Sequence, residues 1–155
     1  MGEYSTTVDD KGRITVPRAI RVSMEANAHY LWYITRGFDG CLFLFNQEEW
    51  NKIRTQMGKH ASMHTKAMDL RRLLFGSVAE VKPDGQGRMG VPPHLREFAG
   101  IDKDAVLLGV DDHLELWSKD AWRAFQIKQD AAYKEMAMQL FTGEGASIAA
   151  DVEVS

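Results

Sequence analysis

One nine-residue phrase occurs twice in this chain. Asp9-Asp-Lys-Gly-Arg13-Ile-Thr-Val16-Pro17 returns as Asp84-Gly-Gln-Gly-Arg88-Met-Gly-Val91-Pro92, with Asp-x-x-Gly-Arg-x-x-Val-Pro kept at an offset of 75. Repetition at a fixed period constrains architecture before any local pattern does. Two copies of one unit can bury their apolar faces against each other and present two Gly-Arg tips. That layout suits a binding surface rather than a catalytic pocket.

The repeat extends past its opening phrase. Leu31-Trp-Tyr-Ile-Thr35 aligns with Val106-Leu-Leu-Gly-Val110 at the same offset of 75, and each run suits a buried strand. A second strand follows a turn in both copies, Cys41–Phe45 and His113–Trp117; the offset falls to 72, which makes the first turn, around 36–40, three residues longer. Both pairs read as β-hairpins. Asn46-Gln-Glu-Glu49 and Ser118-Lys-Asp-Ala then carry helix-capping residues, the first as a capping box, and a Trp follows each (Trp50, Trp122). Trp50, Ile53 and Met57 share one helical face, as do Trp122 and Phe125 and, further on, Tyr133 and Met136. These aromatics read as core anchors rather than as a platform for stacked bases. Ala67, Leu70 and Leu74 stand at helical spacing, and Gly76 is placed to end that helix. The expected organisation is one repeat unit over 3–50, a helical linker over 51–78, a second unit over 79–122, a C-terminal helix over 123–142 and a mobile tail over 143–155.

Within the repeated phrase, Tyr4–Val8 and Ile14–Val16 alternate like strands on either side of a tight turn, with Gly12 where positive φ is needed. Val78–Val81, Asp84–Gly87 and Arg88–Val91 repeat the arrangement, and Pro17 and Pro92 each open a short helix. Asp and Arg four apart across such a turn can pair. One consequence is a salt bridge that simply fixes the turn. The other is a guanidinium held in a forked orientation that suits a phosphate or a guanine edge. Spacing does not separate the two, and one residue can do both.

Composition narrows the classes. A chain of 155 residues, 45% apolar, suits one compact domain or two half-domains sharing a core. The net charge of −3 argues against a strongly basic nucleic-acid binder. Residues 1–21 nevertheless gather Lys11, Arg13, Arg18 and Arg21 against Glu3, Asp9 and Asp10, so a weakly basic face can act if several copies bind together. No apolar run approaches the ~20 residues that span a bilayer, and Met1-Gly-Glu-Tyr-Ser lacks a secretion signature. Cys41 is alone, so no internal disulfide forms, which fits a reducing compartment and a cytosolic protein.

Gly2-Glu-Tyr-Ser, Asp-x-Lys-Gly-Arg, the paired Val-Pro, Arg71-Arg-Leu-Leu-Phe-Gly76 and Leu114-Glu-Leu-Trp117 together resemble the MraZ family over about residues 2–142. That family comprises bacterial transcriptional regulators associated with the division and cell-wall gene cluster. The resemblance implies an α+β, mainly β fold: tandem AbrB-like swapped-hairpin (double-split) β-barrel units in a pseudo-dimer, with accessory helices. It also implies a ring-shaped homo-oligomer that binds double-stranded DNA through its Asp-x-x-x-Arg loops. Carried over by position, those loops are Asp9 to Arg13, with Lys11 and Gly12, and Asp84 to Arg88. Lys11, Arg18 and Arg21 are expected to contact phosphates and position the loop, and Arg13 is the candidate for a base edge. Two departures stand out. Met1 directly precedes Gly2 where family members usually carry a Met-Phe-Arg-like start, and Gln86 replaces the basic Lys11 in the second loop. The first loop is therefore expected to contribute more to phosphate contact.

Other motifs carry less. Gly85-Gln-Gly87-Arg-Met-Gly90 matches Gly-x-Gly-x-x-Gly, but Lys82-Pro83 precedes it and Val91-Pro92-Pro93 follows, which is not the strand-to-helix setting a dinucleotide site needs. His60 and His64 have zinc-like spacing without a third ligand and read as a solvated linker. Glu48-Glu49 reads as helix N-terminal charge. No nucleophile motif is present, so no catalytic residue, cofactor, metal or small-molecule substrate is expected, and no membrane partner. The expectation is a cytoplasmic, nucleoid-associated regulator of the division and cell-wall cluster, including its own promoter. The alternative is an AbrB-like protein-interaction module, antitoxin-like or structural, in which the turns only close hairpins.

Overall fold

A computed structural model describes residues 1–25, 31–59 and 65–144. His60, His64 and residues 145–155 lie outside the described residues, and with them most of the expected tail. The chain divides into a unit over Met1–Ala121 and a second over Trp122–Ser155. The first repeat supplies β1 (Gly2–Thr7), β2 (Arg13–Thr15), α1 (Arg18–Glu25), β3 (Trp32–Arg36), β4 (Leu42–Asn46) and α2 (Gln47–Lys59). After α3 (Thr65–Ser77) come β5 (Ala79–Val81), β6 (Arg88–Gly90), α4 (Pro93–Ala99), β7 (Asp104–Gly109) and β8 (Leu114–Ser118). Over 119–144 the chain forms α5 (Lys119–Asp130) and α6 (Tyr133–Glu144).

The fold is α+β with antiparallel sheet at its centre. Six strands run in the order β1-β7-β8-β4-β3-β5, and β2 and β6 form a separate ribbon. The two repeats exchange strands: β1 pairs with β7, β5 pairs with β3, and β2 pairs with β6. The swapped arrangement is thus present as strand exchange, but the named strands close no barrel. The strand–turn–strand expected over Tyr4–Val16 is present, with Gly12 at positive φ in the turn. β1 and β2 pair along their lengths with different partners and are joined by the Val8–Ile14 bridge, by Asp9 N–H donating to Arg13 O at 2.9 Å and by the Thr6 hydroxyl donating to Thr15 O at 3.1 Å. Alternation along each segment was a correct strand signal; it carries no information on which strand lies alongside.

Register reveals a pseudo-twofold relation between the repeats. In the ribbon, Ile14 faces Met89, its own counterpart at the offset of 75. In the central β4–β8 pair, Leu42 faces Leu116 and Leu44 faces Leu114, which is self-complementary at the offset of 72. Trp32 pairs with Asn46 as Ala105 pairs with Ser118, so β3 and β7 correspond at an offset of 73, not 75. The β3–β4 turn is consequently one residue longer than the β7–β8 turn, not three. The remaining difference lies between the Val-Pro phrase and the strand. Apolar runs align with themselves at several registers, and only cross-strand partners fix one.

Ile14, Ile34, Leu42, Leu44, Met89, Leu95, Leu107 and Leu116 are wholly buried, each contributing roughly 1.5–3 kcal/mol relative to exposure. The buried Thr35 hydroxyl donates to Leu74 O at 2.6 Å and lies 3.0 Å from Ser77 Oγ, so α3 is tied to β3 without an orphaned polar group. Asn46 caps α2 by accepting from Glu49 N–H at 2.8 Å, and Ser118 caps α5 by accepting from Ala121 N–H at 3.0 Å. Trp50 is the core anchor its spacing predicts, stacked on Tyr33 at 5.4 Å and edge-on to Phe75. The helix before the second repeat runs past Gly76 to Ser77, whose hydroxyl donates to Leu73 O. In the second unit Trp122 is half-buried and stacks on Phe125 at 5.7 Å, while Tyr133, Met136 and Leu140 of α6 are exposed.

Candidate nucleic-acid interface

The two repeated turns have the same internal wiring. Gly12 N–H donates to Asp9 O and Gly87 N–H to Asp84 O, closing each turn. Asp9 Oδ1 accepts from the backbone N–H groups of Lys11 and Arg13, both at 2.9 Å, while Oδ2 accepts from Arg13 Nε at 2.9 Å. Asp84 does the same for Gln86 N–H, Arg88 N–H and Arg88 Nε, at 2.9, 2.9 and 2.8 Å. A short acceptor is required at the first position because one carboxylate must reach two backbone donors and a guanidinium. Glycine is required at the fourth: Gly12 and Gly87 have φ of 77° and 76°, where a side chain is strained.

The backbone N–H of Arg13 holds the Asp9 carboxyl below its usual range, partly offset by burial. The same bond from Arg88 takes Asp84 down to about 2. Both carboxylates are therefore ionised at neutral pH and hold their arginines by charge-assisted bonds. Each guanidinium is gripped at Nε, and the arginine side chains remain 28% and 34% exposed. Held and partly exposed, they can meet a ligand with little further loss of side-chain freedom.

The ribbon brings the turns together. Val16 N–H donates to Gly87 O at 2.8 Å and Val91 N–H to Gly12 O at 2.9 Å, so each turn is bonded to the other repeat's strand. Arg13 Nη1 also lies 4.0 Å from Asp84 Oδ2. Asp9, Lys11, Arg13, Asp84 and Arg88 thus lie together at the ribbon's surface, with Gly12 buried beneath them. Lys11 and Arg18 are exposed, Arg18 at the first position of α1. Arg21 is directed differently: its Nη1 donates to Gln86 O of the second turn at 3.0 Å. Arg96 is a residue that sequence reasoning missed. Its Nε donates to Val91 O at 2.9 Å, and its guanidinium covers Gly12. The signal was present, because Arg96 is Arg21 displaced by the repeat offset of 75.

Among the described residues no three His, Cys, Asp or Glu side chains are placed to hold a metal ion, and no helix is long and apolar enough to cross a membrane. Gly85 and Gly90 lack the positive φ of Gly87, and the Gly-x-Gly-x-x-Gly stretch runs into β6 rather than a helix.

A family model described as "MraZ protein, putative antitoxin-like" matches residues 1–73 and again residues 74–142. The chain belongs to the MraZ family. Its MraZ relatives include the transcriptional regulator MraZ of Carboxydothermus hydrogenoformans, 38% identical over 140 residues that cover 90% of this chain and 95% of that protein. The transcriptional regulator MraZ of Heliobacterium modesticaldum is 36% identical over 141 residues, covering 90% of this chain and 95% of the relative. That of Ligilactobacillus salivarius is 36% identical over 137 residues, covering 88% and 93%. The double match to the MraZ model agrees with the duplicated phrase, and its junction falls within α3.

Proposed function

We propose that this chain is a DNA-binding transcriptional regulator whose paired Asp-Arg turns form the DNA contact. The observation that carries it is the pair of carboxylate-held guanidiniums on one two-stranded ribbon, related by a pseudo-twofold. Arginine is the side chain suited to guanine O6 and N7, and a second group must hold it to make that contact selective. Arg13 is assigned the base edge, with Arg88 as its counterpart, while Lys11 and Arg18 contact phosphates and set register. Gln86 in place of Lys11 makes the second turn the weaker phosphate contact. With a net charge of −3, one copy binds weakly. A ring-shaped homo-oligomer on repeated sites supplies the affinity through avidity. The targets are the division and cell-wall cluster and the gene's own promoter, in the cytoplasm and nucleoid.

The test is DNA binding to the region upstream of the chain's own gene, titrated across salt, for wild type, Arg13→Ala and Arg88→Ala. Arg13→Ala should weaken specific binding by ~10- to 100-fold, as expected for one bidentate base contact. Unchanged operator affinity with an intact fold would remove the loop assignment. Recovery of a protein partner in a pull-down, with no DNA bound, would favour the protein-interaction alternative.

A further inference from the structure

We propose that Arg21 and Arg96 are crossed positioning residues, each carried by one repeat and fixing the DNA-binding turn of the other. This rests on the DNA-binding reading above. Arg21 is the fourth residue of α1 and Arg96 the fourth of α4, and each helix begins directly after its Val-Pro pair. The proline carbonyl starts each helix identically: Arg21 N–H donates to Pro17 O at 2.9 Å and Arg96 N–H to Pro92 O at 3.0 Å. The repeated phrase therefore places a second arginine eight residues after the first, and the strand exchange sends it to the opposite turn.

The contacts there are close. A Cβ on Gly12 would stand 2.9 Å from Arg96 Nη2 and 3.1 Å from its Cζ. A Cβ on Gly87 would collide with Arg21 Cδ and stand 2.6 Å from its Nε. The two glycines are buried although they sit in surface turns. Each glycine carbonyl is meanwhile bonded to the other repeat's valine N–H. Each turn is thus gripped on its backbone by the opposite strand and covered by the opposite arginine. Glycine at this position serves two needs, a positive φ and a bare face for the guanidinium.

Electrostatics fits the assignment. Among the described residues neither Arg21 nor Arg96 has a carboxylate within salt-bridge distance; their hydrogen bonds go to peptide oxygens of Gln86 and Val91. Arg13 and Arg88, by contrast, are held by Asp9 and Asp84. Arg21 is bonded to the opposite turn's backbone at Gln86 O, whereas Arg96 is anchored on Val91 O of its own repeat and reaches the opposite turn by covering Gly12; in both copies the supporting arginine is separate from the carboxylate-held one.

The experiment is amide hydrogen exchange on the full, DNA-free protein, followed by DNA titration across salt. Arg21→Gln, which loses the bond to Gln86 O, should speed exchange at Gly87 and Arg88 by roughly 5- to 10-fold, and Arg96→Gln, which uncovers Gly12 without losing a bond to that turn, should speed exchange at Gly12 and Arg13 by a smaller factor. Each should leave the turn of its own repeat unchanged. DNA affinity should fall without a change in salt slope, because no phosphate contact is lost. Arg96→Lys, which keeps charge and stem but not the Nε–H with its planar fork, should loosen Gly12 as Gln does. Exchange that changes in the arginine's own repeat, or in neither, overturns the proposal, as does full rescue by Lys. A salt slope reduced by about one on Arg21→Gln would instead make that residue a phosphate contact. The exchange pattern is read without DNA, so a failure of the DNA-binding proposal leaves this test standing.

Discussion

Arg13 and Asp84 approach to 4.0 Å across the pseudo-twofold, although each belongs to a different turn and already has a closer partner. Among the described residues no matching pair joins Arg88 to Asp9 within 4 Å, so the twofold is broken at the tip of the ribbon. The first turn's arginine is steered by two carboxylates and the second turn's by one.

Substituting those carboxylates should separate orientation from charge. Asp9→Asn and Asp84→Asn each raise the net charge by one, which by itself favours DNA. Asn keeps one acceptor for the backbone N–H groups but presents an amide to the arginine Nε. We expect Asp9→Asn to weaken binding by roughly 5- to 10-fold despite the added positive charge, because Arg13 loses its closest guide. Asp84→Asn should weaken it less. Isotherms at matched salt decide this; tighter binding by Asp9→Asn would mean that charge, not orientation, governs the contact.

Acid sensitivity follows from the same wiring. Asp84 has its carboxyl depressed from 3.8 to about 2, chiefly by the Arg88 backbone N–H, and Asp9 is lowered by the corresponding bond from Arg13. A depressed carboxyl contributes stability that is fully present above its unfolded value and is lost as pH falls through the folded one. The second turn should therefore stay ordered at pH 4 and loosen only as pH falls from there toward 2. Carboxyl carbon shifts of Asp84 followed by NMR report it directly, and a midpoint near 3.8 would contradict the bonding described.

The ribbon's centre should transmit damage to both turns. Met89 and Ile14 face each other with no exposed surface, two residues or fewer from Arg88 and Arg13. Met89→Ala should destabilise the fold by about 2–5 kcal/mol through lost burial and the cavity left behind. Denaturant unfolding measures the loss. Exchange protection should fall at Gly12 as well as Gly87, because both turns hang on the same two short strands.

Much of this could be read from the chain. The Asp-x-x-Gly-Arg spacing located both turns, the caps at Asn46 and Ser118 were correct, and Trp50 lies in the core. These are local properties, fixed by residues within a few positions. What was illegible was pairing: alternation in Tyr4–Val8 is equally satisfied by a hairpin partner or by β7 of the other repeat. The offset of 75 between Leu31–Thr35 and Val106–Val110 failed for the same reason, since apolar runs tolerate a two-residue shift. Arg21 illustrates the consequence for the site. Its charge near the motif suggested a phosphate contact, and only strand exchange shows the side chain turned to Gln86 O.

Away from the turns, His113 should behave as a pH-dependent tie within the sheet. Its Nδ1 lies 2.7 Å from Asp112 Oδ1 and its Nε2 3.2 Å from Glu115 Oε2, with Phe43 and Phe45 packed on the ring. Both partners are acceptors, so only the imidazolium, with two N–H groups, satisfies both. The bond to Glu115 raises the His113 pKa above 6.5, against burial and with help from Asp112. Burial pushes Glu115 up, but the hydrogen bonds from His113 and Trp117 outweigh it and hold the carboxyl below 4.5. A raised histidine contributes stability that is fully present below 6.5 and is lost as pH rises through its folded pKa. A lowered glutamate contributes stability that is present above 4.5 and lost below it. The tie is therefore strongest between pH 4.5 and 6.5 and weakens toward alkaline pH. His113→Gln should flatten the fall in thermal stability above pH 6.5 while leaving the acid limb of Asp84 in place. Ring-proton NMR should place the His113 midpoint above 6.5; a midpoint below it would mean that burial among Phe43 and Phe45 prevails over the two carboxylates.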